Sequence, residues 1–242
     1  MSPLVLTFLF ICGSLTAIIS AVSGMGGGIV LLSILTLFLD ISVIVPIHGV
    51  VQLISNSTRT WLLRDNVIRK IFLWFCAGVP IGTLISIKII KTIQNKDIFL
   101  IFIAVLIFYS VFKPKRLPEI KLPYWCFSFV GVCVGILGPL IGATGPFIAP
   151  FFIRSDFTKE QIVATKSSVQ VVGHLVKLPT FFYLGFNYLE HVNLIAVLTV
   201  GALLGTHLGV KILGKIQEKS FRYIFKGALL FAGLRILYKV LM

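Results

Sequence analysis

Runs of close to 20 apolar residues recur along the chain, at 3–22, 71–90, 98–112, 124–141, 192–210 and 221–241, and no other feature limits its fold so tightly. A helix of about 20 residues, rising about 1.5 Å per residue, crosses the roughly 30 Å of a bilayer's hydrocarbon core. Two further stretches, 41–63 and 159–184, have the length to cross but carry polar residues along it. Two short apolar pieces, 29–39 and 147–153, cannot span alone. With 57% hydrophobic and only 12% charged residues, the composition excludes an ordinary soluble domain. The expectation is an all-α polytopic membrane protein of about eight full spans plus two glycine-broken short or re-entrant helical pieces. No Lys or Arg precedes the first run and no small-x-small cleavage site follows it, so it reads as a transmembrane helix.

The formal charge of +14 is spread over helix ends and short loops. It reads as an orientation signal, with no nucleic-acid partner implied. The basic loops 64–70 and 113–121 share one side, which the positive-inside rule makes cytoplasmic and which places both termini outside; Lys88, Lys91 and Lys96 oppose that assignment. Cys12, Cys76, Cys126 and Cys133 fall within apolar spans without metal-ligand spacing and read as small buried hydrophobes. No metal or cofactor is expected.

The chain also repeats itself. At an offset of 118, Gly24 falls on Gly142, Gly27 on Gly145, Gln52 on Gln170, Asn56 on His174, Arg59 on Lys177 and Gly13 on Gly131. At 123, Gly78, Gly82, Thr83 and Lys88 fall on Gly201, Gly205, Thr206 and Lys211, and the match runs on through 93–96 against 216–219. The reading is a first membrane repeat at 1–112, a cytoplasmic linker at 113–123 and a second repeat at 124–242. A re-entrant piece in each copy makes the crossings odd in number and the two copies opposite in orientation, a hallmark of secondary transporters. The Gly-x3-Gly pairs at 78/82 and 201/205 read as helix-packing positions.

Each copy is interrupted by glycine, at Ser23-Gly-Met-Gly-Gly-Gly and at Gly142-Ala-Thr-Gly-Pro-Phe. Glycine is a poor helix former, by roughly 1 kcal/mol against alanine. Irregular backbone survives within a bilayer only where protein buries it or a cavity hydrates it. The short helical pieces that follow present N-terminal N–H groups, which favour negative charge. We therefore expect the breaks to coordinate an anion through Gly24, Gly26, Gly27 and Gly28 in the first and Gly142, Thr144 and Gly145 in the second. Polar residues repeat at helical steps beside them: His48, Gln52, Ser55, Asn56 and Arg59 in one copy, Lys166, Gln170, Gly173, His174 and Lys177 in the other. These are donors and cations without a carboxylate, an inventory suited to an anion with several oxygens. Gln52, Asn56, Gln170 and His174 are expected to supply polar contacts. Lys166 and Arg59 would compensate charge, and His48 or His174 couple a proton. For Arg59 and Lys177, a snorkelling anchor at a helix end is the alternative reading.

The segments SGMGGGIVLLSIL, IHGVVQLISNSTRTWLLRDNV, GATGPFIAPFF and QIVATKSSVQVVGHLVKLPTFFYLG resemble the sulfite exporter TauE/SafE family, and the similarity runs from about Leu6 to the last span. Many relatives carry a proline in the first short piece, where Ser33 and Ile34 stand here; Pro146 and Pro150 are kept in the second. The resemblance implies transport of small sulfur-containing anions, such as sulfite or organosulfonates, across the bacterial inner membrane. The expected function is a secondary exporter working by alternating access at a mid-membrane site between the repeats, with an anion channel or passive pore as the alternative. The spans offer no carboxylate pair, His-x-x-x-His or Cys-x-x-Cys, so an enzyme is not expected.

Overall fold

The computed structural model describes residues 2–89 and 121–241, together with 101, 104–105, 108–109 and 111–112; among these there is no strand. Most of the expected span at 98–112 and of the linker at 113–123 lies outside the described residues, as do Lys91 and Lys96. Ser2 caps the first helix, α1 (Pro3–Ser23), by accepting from the Val5 N–H, and Pro3 occupies the first turn, where its missing N–H costs nothing. The first break, Gly24 to Gly26, leads into the short α2 (Gly27–Leu35) and then α3 (Ile41–Leu62) and α4 (Arg69–Ile89). In the second half α5 (Phe127–Ile141) runs into the second break, followed by α6 (Gly145–Ile148) and a 3-10 turn at Ala149–Phe152. α7 (Lys159–Leu175) opens with a capping box in which Thr158 and Gln161 exchange side-chain and backbone hydrogen bonds. α8 (Lys177–Tyr183), α9 (Val192–Lys215) and α10 (Glu218–Leu241) complete the chain.

Among the described residues, four helical segments can cross a bilayer by length and composition: Pro3–Ser23, Arg69–Lys88, Tyr124–Ile141 and Tyr188–Lys215. Apolar side chains form the core and also cover much of the outer surface. Leu4, Phe8, Ile11, Leu15 and Ile19 form an exposed stripe along α1, and Val200, Leu204, Leu208 and Ile212 form another along α9. Arg59, Lys166 and Lys177, by contrast, are among the largest fully buried side chains, and no Asp or Glu is buried among the described residues. The cysteines depart from expectation: Cys133 is exposed and Cys12, Cys76 and Cys126 are half-buried.

Two outer pairs, α1 with α9 and α4 with α5, flank a central pair in which α3 packs on α7. The outer pairs are held at backbone contact by glycine. A Cβ at Gly78 would lie 1.9 Å from the Ser128 carbonyl oxygen and one at Gly82 would lie 2.0 Å from that of Val132. Gly201 and Gly205 lean in the same way on the carbonyls of Phe10 and Ser14, at 2.6 and 2.1 Å. A Cβ at Gly131 would lie 2.4 Å from the Phe75 carbonyl oxygen, and one at Gly13 would lie 3.3 Å from that of Leu198. The offsets of 118 and 123 carry each contact of one pair onto a contact of the other.

Candidate functional site

The first break follows from three residues. Gly24 takes φ 73° and Gly26 φ 90°, in a region closed to most side chains, and between them the Ser23 hydroxyl donates to the Met25 carbonyl. α2 then turns back along α1. A Cβ at Gly27 would lie 1.8 Å from the Thr16 carbonyl oxygen, and Phe38, beyond the end of α2, meets Phe8 near the start of α1 with ring centroids 6.0 Å apart. The second break is built alike, Gly142 taking φ 80°. Its helical piece is shorter than the sequence suggests, a single α turn tightening into a 3-10 turn. Pro150 has no N–H with which to bond the Pro146 carbonyl, so the α pattern stops there.

α3 and α7 bring their polar faces to these breaks. Gln52 falls near the middle of the 22-residue α3, about 16 Å from either end at the helical rise. His48 Nε2 lies 2.8 Å from the Gly28 carbonyl oxygen. From α7, Lys166 Nζ donates to the Gly24 carbonyl at 2.7 Å and to Gln170 Oε1 at 3.2 Å. Lys177, just past the end of α7, does the equivalent at the other break by donating to the Gly142 carbonyl, with His174 Nδ1 at 3.4 Å. Gly138 and Gly49 leave room for its stem. The His48 and His174 rings meet edge to face, centroids 6.1 Å apart. Arg59 donates to Asn56 Oδ1, Ser167 Oγ and Ser55 Oγ, each at 3.3 Å.

Several of these groups line a narrow cavity of about 20 Å³, room for about one water. Of the residues singled out in the sequence, Gly24, Gly26, Gly28, His48, Gln52, Asn56, Arg59, Thr144, Gly145, Lys166, Gln170 and His174 border it. Gly27 and Gly142 do not. Gly27 is pressed against Thr16 and Ser20 of its own hairpin, and Gly142 faces Leu32 and Val45. Ser20, Met25 and Ala143 border the cavity without having been singled out. No periodic signal marks them, because they reach it only once each break has folded. A Cβ added at Gly28 would meet Gln52 Cδ at 3.3 Å, and one at Gly145 would meet Gln170 Nε2 at 3.1 Å, so the break surroundings match one residue out of step with the sequence alignment.

The electrostatics are one-sided. Arg59 and Lys177 are 1% exposed, which removes the snorkelling reading for both. Neither they nor Lys166 forms an ion pair with a carboxylate among the described residues. His48 Nδ1 and Arg59 Nε are buried without a hydrogen-bond partner. Among the described residues no cluster of His, Cys, Asp and Glu has the makings of a metal site.

Apolar outer helices around two glycine breaks fit a multi-pass helical membrane protein. The family model described as Sulfite exporter TauE/SafE matches residues 9–236, and the chain belongs to that family. No curated protein and no solved structure matches it.

Proposed function

We propose that the protein is a secondary exporter of small sulfur-containing anions, sulfite or an organosulfonate, which bind in the cavity between the two breaks. One observation carries the reading: two buried cations, Arg59 and Lys166, border one cavity, with a third, Lys177, buried beside its His174 wall, and no buried carboxylate among the described residues compensates them. A charge held inside a protein is costly unless paired. An anion seated among Arg59, Lys166 and the backbone of the breaks supplies the missing partner. The family supports the class of substrate.

In this reading residues 1–112 and 124–242 are two inverted repeats joined by the linker 113–123, and eight full spans carry the site to mid-membrane. The exchange of glycine contacts between the outer pairs supports it, since equivalent positions make equivalent contacts in both halves. Gly24, Gly26, Gly28 and Gly145 let the anion reach the main chain, while Gln52, Asn56, Thr144, Gln170 and His174 orient its oxygens. A cavity of about 20 Å³ is tight for such an anion, so binding widens it, and rocking of one repeat against the other exposes it to each side in turn. An inside-negative potential favours anion exit by about 2.3 kcal/mol per charge per 100 mV, so export needs no second ion. With positive loops inside, both termini lie outside an inner membrane.

Uptake of labelled sulfite into proteoliposomes tests the reading. A carrier gives saturable uptake that is accelerated by unlabelled sulfite trapped on the other side. Flux that rises linearly with concentration, without such acceleration, would point instead to a pore.

A further inference from the structure

A second and larger cavity, about 210 Å³, adjoins the first. It lies between α2, the second break and the far part of α10, bordered by Leu32, Ser33 and Thr36, by Ile141 and by Arg235. Two residues, Ile29 and Ala143, border both cavities. They come from opposite breaks: Ile29 from the first turn of α2, Ala143 from the loop after α5. Because α2 runs back along α1, this cavity leads from the breaks towards the end of the molecule at which α1 begins.

Its walls are apolar apart from Ser33, Thr36 and Arg235. Arg235 Nε donates to the Ser33 hydroxyl at 3.1 Å, and the guanidinium carbon lies 5.4 Å from the Tyr238 ring centroid. No carboxylate pairs with it among the described residues. A guanidinium offers five donors in a fixed fork. Held by Ser33 and Tyr238, its charge stands on the wall of the cavity next to the central one.

We propose that this cavity is the vestibule through which the anion passes between the central site and that end of the molecule. Arg235 is its first recognition group, and Ile29 with Ala143 is the partition that separates vestibule from site. The proposal rests on the exporter reading above and adds a route to it. With one wall of the partition on each break, any shift of one break against the other opens or closes the passage. A charge on an otherwise neutral apolar wall raises the local concentration of an anion at the partition.

Two measurements on the full-length protein test this: labelled sulfite uptake in proteoliposomes and the thermal stabilisation of purified protein by sulfite. Arg235→Gln should raise the KM for sulfite about tenfold at nearly unchanged kcat, and Arg235→Lys should restore most of the loss. Ala143→Leu, which fills the partition, should cut uptake at least about tenfold. Ile29→Phe narrows the same passage from the other break and should behave alike if Ala143→Leu proves unstable. Wild-type uptake in Arg235→Gln and in a partition variant would overturn the vestibule. Failure of sulfite to stabilise the wild-type protein would instead overturn the exporter reading beneath it.

Discussion

Lys166 and Lys177 do the same work at opposite breaks, each ammonium holding the carbonyl of a left-handed glycine, Gly24 or Gly142. The difference lies in what else they touch: Lys166 and its partner Gln170 border the central cavity, whereas Lys177 does not. Replacing Gln170 with Leu should leave the purified protein folded and monodisperse but abolish its thermal stabilisation by sulfite; stabilisation at the wild-type level would remove Gln170 from the site. The steps of three and four along α3 and α7 made most of this face legible, since the helical repeat alone aligns His48, Gln52, Asn56 and Arg59. Lys177 was harder to read. Its late place in the segment suggested an interfacial anchor, yet α7 ends at Leu175 and the chain turns the side chain inward over Gly138.

At the scale of elements the breaks divide into glycines that pack and glycines that face the cavity, a division the sequence does not carry because all four of the first break look alike. Gly27→Ala would place a methyl group 1.8 Å from the Thr16 carbonyl oxygen and should sharply reduce the yield of folded protein. Gly28→Ala meets only the end of the Gln52 side chain, at 3.3 Å, and should fold while losing sulfite transport. Thermal melts beside uptake assays check the pair, and equal loss of fold in both would contradict the division. The same reasoning bears on helix contacts. Ala at Gly82 or at Gly205 would drive a Cβ to 2.0 or 2.1 Å from a carbonyl oxygen, so the two substitutions should lower the melting temperature by similar amounts. Gly227 meets nothing within 4 Å on α10, and Gly227→Ala should stabilise by up to about 1 kcal/mol. The Gly-x3-Gly spacing announced the packing pairs plainly. The second half-helix was less legible, because its length is set by where Pro150 interrupts the hydrogen-bond pattern.

For the whole molecule, an apolar core is joined by apolar stripes on the outside and by a few buried cations, with no buried acid among the described residues. Composition and apolar run length gave the membrane class, and the offsets of 118 and 123 reappear in space as exchanged glycine contacts. The cavities themselves lie beyond what a linear reading contains, since they depend on how α2 folds back against α1 and on where α10 comes to rest beside it. Equilibrium binding of labelled sulfite to purified wild-type protein and to Lys166→Gln tests the central claim most directly. The loss of a charged donor, worth about 1.5–3 kcal/mol, predicts saturable binding at a single site in the wild type and a dissociation constant about 10–100-fold higher in the variant. Binding of equal strength to a folded Lys166→Gln protein would contradict it.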